Sequence, residues 1–313
     1  MKKLFIPFLL LFVLILSACG NKETANENNA SKAKKETVTY QSETGPIEIP
    51  KNPKRIIALS NGPNVLALEG NVVGIDQWTN MNPLFKERLK GVEVVSEDNL
   101  EKIIELEPDL IIAGSEMKNI GKLNEIAPTV VFTWGKLDYL SQQIEIGKLL
   151  NKEKEAKEWV NDFETRAESA GKAIRSKIGE DATVSVIEND AKEFYVFGNN
   201  YARGTEILYQ AMDLKMPEKV KEKALKSGIY VLSSEVLPEY TGDYIIFSKN
   251  PDVVNSFVET DTWKNIPAVK NDRIFEINSK AATYSDPITL EHLLEFFEKS
   301  FLNKKYAKKE FFK

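Results

Sequence analysis

The chain carries one imidazole and one thiol: His292 and Cys19 are its single histidine and cysteine. Zinc sites built on these residue types, an H-E-x-x-H protease and a histidine-dependent triad all need more such groups than that. His292 falls inside an apolar helical stretch and reads as a structural or surface helix residue. The run from Gly114 to Lys122 has the outline of a phosphate loop. However, six residues separate its glycines and Leu123 follows the lysine, whereas that loop needs four and then Ser or Thr. No G-x-S-x-G elbow and no dinucleotide fingerprint occurs. A pair of carboxylates is the enzymatic route left open by 47 Asp and Glu, most of which must be solvated surface. No catalytic residue, resident cofactor or metal ligand is therefore assigned, and a binding role rather than an enzymatic one is expected.

Cys19 has chemistry of a different kind. Lys2 and Lys3 precede a wholly apolar stretch from Leu4 to Leu16, followed by Ser17, Ala18 and Cys19. The stretch is too short to span a bilayer, which takes about 20 residues, and fits a secretory signal over residues 1–18. Leu16-Ser17-Ala18-Cys19 resembles the bacterial lipobox, which implies that Cys19 is acylated and holds the protein in membrane lipid at the outer face of the cytoplasmic membrane. Consumption of Cys19 leaves no thiol for a disulfide, so stability must come from the core. The formal charge is −5 without a long basic block, which argues against nucleic acid as a partner.

Positioning of any ligand falls to the elements between the ends. Residues 19–37 are polar and aperiodic and predict a tether. From 38 to 150, short apolar runs (Ile56–Leu59, Val72–Ile75, Val92–Val95, Leu110–Ala113, Val130–Trp134) alternate with helical spacing, as in a doubly wound parallel sheet. Ala156, Trp159, Val160, Phe163, Ala167, Ala170 and Ile174 then predict one long helix over 151–178. A second α/β series occupies 179–313, with strands at Ala182–Ile187, Phe194–Phe197, Tyr244–Phe247 and Arg273–Ile277 and a closing helix after Pro287. The expected fold is α/β: two doubly wound lobes joined by a single long helix, with a ligand cleft between them.

This organisation resembles the helical-backbone class of binding proteins serving ABC importers of iron siderophores, haem and cobalamin. Asn99-Leu100-Glu101-Lys102-Ile103, followed by Leu106-Glu107-Pro108-Asp109-Leu110, is similar to a first-lobe segment of that class, and Ser234-Glu235-Val236-Leu237 to its second-lobe counterpart. Residue physics alone reads Glu101 as a first-turn helix carboxylate; the resemblance implies that Glu101 and Glu235 contact the permease. The run Phe194-Tyr195-Val196-Phe197-Gly198-Asn199-Asn200-Tyr201-Ala202-Arg203-Gly204, with Glu206 to Gln210 and Leu214 to Pro217 after it, resembles the Gram-positive ferric hydroxamate-binding lipoproteins. Tyr201 stands where those relatives commonly have tryptophan.

The resemblance implies a ferric siderophore, of hydroxamate type, as ligand and a monomeric carrier. Iron in such a complex is already fully coordinated, so the protein has to supply hydrogen-bond donors and flat apolar walls rather than metal ligands. Arg203 offers a planar fork of donors, with a surface salt bridge as its alternative role. Tyr195 and Tyr201 would line the second-lobe wall. Trp134 and Trp78 follow first-lobe strands and read either as the opposing wall or as core. Tyr284, before Pro287, reads as a ligand contact or as a residue leading into the last helix. Ferric citrate, a catecholate and haem are the alternative ligands; a carboxylate-based cell-surface enzyme is the alternative outside this class. With Arg203 as the one cleft cation that can be placed, a strongly anionic catecholate is disfavoured.

Overall fold

The protein is described by a computed structural model covering residues 36–190 and 193–303. Cys19, the signal at 1–18 and most of the 19–37 tether lie outside the described residues. A hairpin opens the fold, β1 (Thr37–Ser42) pairing antiparallel with β2 (Gly45–Pro50) and sending Ile49 into the first-lobe core.

The first lobe has five parallel strands, β3 (Ile56–Ala58), β4 (Val72–Ile75), β5 (Glu93–Val94), β6 (Leu110–Gly114) and β7 (Thr129–Phe132), in the order β5-β4-β3-β6-β7. Its helices are α1 (Gly62–Ala67), α2 (Gln77–Met81), α3 (Leu100–Glu105), α4 (Ile120–Ile126) and α5 (Tyr139–Leu149). Continuous apolar strands are buried on both faces because alternate residues serve different layers. Ile56, Ala58, Leu110 and Ile112 face α1 and α5, while Ile57, Ile111 and Ala113 face Ile103 of α3 and Leu123 of α4. The strand order reverses between β3 and β6, the kind of switch point beside which α/β sheets leave a crevice.

Helix α6 (Glu153–Ile178) runs for 26 residues, about 39 Å at 1.5 Å per residue. Acidic residues occupy its first turn and basic ones its last, complementing the helix dipole. Its apolar stripe serves both cores: Ala156 belongs to the first lobe, and Phe163, Ala167, Ala170 and Ile174 to the second. At Gly171 a Cβ would stand 2.3 Å from the Met212 carbonyl oxygen, so only glycine lets the helix approach the second lobe this closely.

The second lobe contains β8 (Val184–Asn189), β9 (Phe194–Phe197), β10 (Ile229–Leu232), β11 (Tyr244–Lys249) and β12 (Ile274–Asn278), ordered β10-β9-β8-β11-β12. Strands β8, β11 and β12 are parallel and β9 runs against both its neighbours, so this sheet is mixed. Helices α7 (Glu218–Ala224), α8 (Asp261–Lys264) and α9 (Pro267–Lys270) cover one face; α6 and α10 (Pro287–Leu302) cover the other. The two-lobed α/β fold expected from the sequence is present. Helix α10 adds something to it: Leu290, Leu293, Phe297 and Phe301 fill the second core while Ile288 packs on the first. Among the described residues no helix is long and apolar enough to cross a membrane.

Candidate functional site

Glu188, near the end of the central strand β8, lies in register between Tyr195 of β9 and Ser248 of β11. The three form a row on the sheet face that also carries Phe197, above which the 201–206 loop passes. Arg203 reaches this row from the loop. Its Nε donates to Glu188 Oε2 at 3.0 Å and its Nη2 to Oε1 at 3.1 Å, a fork-to-fork pair. Ser248 Oγ adds a third bond, to Oε2 at 2.6 Å. Both charged side chains are only 18% exposed. The guanidinium lies over the Phe197 ring, 5.1 Å from its centroid. Nη1 has no hydrogen-bond partner among the described residues, and it is the donor group left over for a ligand.

The loop is held in an uncommon conformation. Ala202 (φ 57°), Arg203 (φ 56°) and Gly204 (φ 78°) are consecutively left-handed, a costly arrangement for two residues with a Cβ. Local hydrogen bonds hold it. Tyr201 N–H donates to Thr205 Oγ1 at 3.0 Å, Thr205 Oγ1 to the Ala202 carbonyl at 2.8 Å, and Arg203 N–H to the Ala282 carbonyl at 2.8 Å. Beneath it, buried Glu206 accepts from Ala202 N–H at 3.0 Å and from the Ser285 hydroxyl, and its Oε2 lies 3.2 Å from Thr205 Oγ1. Burial raises the pKa of the Glu206 carboxyl. Glu206–Ala211 is a π-helical turn, a form that recurs at functional sites. At Gly204 a Cβ would lie 2.5 Å from Phe297, so sterics and φ both demand glycine.

The opposing lobe meets this loop through aromatics. Trp134, just beyond β7, sits edge-to-face with Tyr201 at 5.8 Å, and Tyr201 stacks on Phe197 at 5.8 Å and 24°. Trp134 is 78% exposed and Trp78, on α2, is 71% exposed, so neither packs in the core. Tyr195 is half-buried beside Glu188 and its hydroxyl donates to Asp190 Oδ2 at 2.7 Å. That bond pushes its pKa up to about 12.

Tyr284 occupies a different setting. Its ring packs on first-lobe Phe85 at 6.0 Å, its hydroxyl lies 3.1 Å from Thr79 Oγ1, and burial raises its pKa. The loop before α10 thus touches both lobes, Tyr284 entering the first while Ser285 and Ala282 bind the second.

Arg203, Tyr201 and Trp134 therefore converge, Tyr195 adjoins them, and Trp78 and Tyr284 share the α2 side. Glu101, on the first turn of α3, and Glu235, between β10 and the turn at Leu237–Tyr240, are exposed on opposite lobes. Neither makes a salt bridge among the described residues. Glu188, Ser248 and Glu206 had no site role in the sequence reading. Glu188 interrupts the apolar β8 run, and Glu206 directly follows the Arg203-Gly204-Thr205 segment; those were the available signals.

A family profile described as periplasmic binding protein matches residues 62–281. The iron(3+)-hydroxamate-binding protein FhuD of Bacillus subtilis is 35% identical over 302 residues, covering 94% of this chain and 95% of that protein. The iron(3+)-hydroxamate-binding protein YxeB of the same organism is 37% identical over 303 residues, covering 93% and 94%. Among solved structures, FhuD2 from Staphylococcus aureus with bound ferrioxamine B superimposes with a TM-score of 0.76 at 34% identity, over 82% of this chain and 100% of that one.

Proposed function

The chain belongs to the periplasmic binding protein family, and on that premise we propose that it captures a ferric hydroxamate siderophore between its lobes and hands it to an ABC importer. The observation that carries the reading is the ladder Trp134–Tyr201–Phe197–Arg203, which crosses from one lobe to the other. It presents flat apolar faces and the spare Nη1 donors of a guanidinium in a half-buried setting, which suits a chelate whose iron is already saturated. The relatives named for hydroxamate binding, and the bound ferrioxamine B in one of them, support this ligand class.

The protein acts as a carrier, not an enzyme. Acylated Cys19 tethers it to the outer face of the cytoplasmic membrane, and Glu101 and Glu235 present one carboxylate from each lobe to the permease. Two exposed carboxylates on separate lobes, neither in a salt bridge among the described residues, report the relative position of those lobes to a cationic partner.

Titration of tryptophan fluorescence tests the ligand assignment, because Trp134 stands at the proposed contact. Saturable quenching by ferrioxamine B, absent with haem and lost in Trp134→Phe, is the expected result. A flat titration with ferrioxamine B and other ferric trishydroxamates would remove the assignment.

A further inference from the structure

Building on the iron-chelate reading, we infer that Glu188 is a specificity-determining residue, whose ion pair with Arg203 cancels the positive charge of the cleft and so favours neutral or cationic ferric chelates over anionic ones. The pair is built in three ways. Strand register points Glu188 from the same sheet face as Tyr195 and Ser248. The left-handed turn at 202–204 brings Arg203 down onto it, and the two N–H···O bonds at 3.0 and 3.1 Å use the matched forks of both groups. Ser248 Oγ, at 2.6 Å, holds the carboxylate from the other side.

The electrostatic consequence follows from burial. A lone guanidinium in a partly desolvated cleft would attract anions strongly. Paired with a carboxylate that is equally buried, it presents a dipole, whose field falls off faster with distance than that of a charge. Nearby cations do not replace the missing charge: Lys249 is paired with Glu276 and Lys280 with Asp252. Three singly charged hydroxamates balance Fe(3+), so a trishydroxamate core enters this field without electrostatic cost. Ferric citrate and ferric catecholates carry excess negative charge, lose the attraction of Arg203 and meet the Glu188 carboxylate. Meanwhile the Nη1 donors remain available to hydroxamate oxygens, so hydrogen bonding is kept while charge attraction is withheld.

The test is affinity for two probes, ferrioxamine B, a trishydroxamate with a free ammonium, and ferric citrate. It is measured at low and high salt on the unmodified protein, Glu188→Gln, Arg203→Gln and the double variant. Glu188→Gln should shift the preference towards ferric citrate by at least about tenfold, the scale of one unmasked charge in a half-buried site. High salt should erode the shift, and the double variant should abolish it. A folded Glu188→Gln protein with an unchanged preference, or a shift that persists in the double variant, overturns the inference. Should Glu188→Gln not fold, Arg203→Gln carries the test. Its unopposed carboxylate must depress ferric citrate binding more than ferrioxamine B binding, and equal losses overturn the inference. No binding of ferrioxamine B by the unmodified protein would remove the parent reading and this one together, whereas binding with an unmoved preference removes this one alone.

Discussion

The hydroxyls of Thr79 and Tyr284 lie 3.1 Å apart, and since Thr79 Oγ1 donates to Asp76 Oδ2 at 2.5 Å, it is Tyr284 that donates to Thr79. A residue of the last loop is thereby bound to the first lobe, while its neighbour Ser285 binds Glu206 in the second.

Tyr284→Phe should cost about 1 kcal/mol of stability, as for one hydrogen bond in a half-buried place. Tyr284→Ala should cost roughly 3–5 kcal/mol through the void left against Phe85. Urea unfolding of both variants checks this. Equal stability of Tyr284→Ala and the unmodified protein would show that the loop does not tie the lobes.

Lobe closure should be small. Helix α6 belongs to both cores, and α10 with its preceding loop spans them a second time, so opening the lobes would expose apolar surface in two places. Scattering profiles with and without ferrioxamine B should give radii of gyration agreeing to within about 1 Å, as in pre-organised complexes. A fall of several ångströms would contradict the shared packing.

Asp286 N-caps α10, accepting from Ile288 N–H at 2.9 Å, and is buried. Burial lifts its pKa to about 6 from an ordinary 3.8. Between these values the folded state binds a proton more tightly than the unfolded state, so this group's favourable contribution is full below about 4 and is lost as pH rises through about 6. Its size is at most about 3 kcal/mol. Asparagine caps helices equally well, so Asp286→Asn should flatten the stability profile across that window and be neutral or stabilising at pH 7. Identical profiles of the two proteins between pH 4 and 6 would show that Asp286 does not titrate as argued.

Arg203→Ala should weaken ferric hydroxamate binding by about 1.5–3 kcal/mol, roughly ten- to a hundredfold. It should also lower stability, because Glu188 is left half-buried with Ser248 as its remaining partner. Arg203→Lys keeps the charge but not the fork and should rescue stability better than affinity. Tyr201→Phe keeps both its stack on Phe197 and its contact with Trp134 and should change affinity less than Arg203→Ala. Calorimetry on the three variants decides the order.

Much of this architecture was legible from local pattern. Val72–Ile75 and Phe194–Phe197 were bounded to the residue, and the stripe from Ala156 to Ile174 announced α6, because burial on both faces or on one stripe leaves a periodic trace. The sequence reading has no strand at β10, although Ile229-Tyr230-Val231-Leu232 is an apolar run as long as β9; what that local pattern does not carry is its place at the sheet edge, where Val231 is exposed. Within the site, the Tyr201–Arg203 segment stood out as a motif, whereas the partner of Arg203 did not. Glu188 is 15 residues away, on a strand whose facing side depends on the whole sheet. Tyr284 likewise packs on Phe85 from the far end of the chain, a contact with no local trace. The strand ends led to Trp78 and Trp134 as wall candidates, but left open whether the rings were inside or out; their exposure closes that alternative.

Because Ile288 and Tyr284 pack against the first-lobe core while following the strands of the second lobe in sequence, the lobes are not separable modules. Exchanging one lobe between relatives at the start of α6 would pair a first lobe with a foreign last loop and helix, leaving mismatched surfaces at Phe85 and α1. Ligand preference in this fold is therefore more accessible to single changes in the Glu188–Arg203 row than to the shuffling of whole lobes.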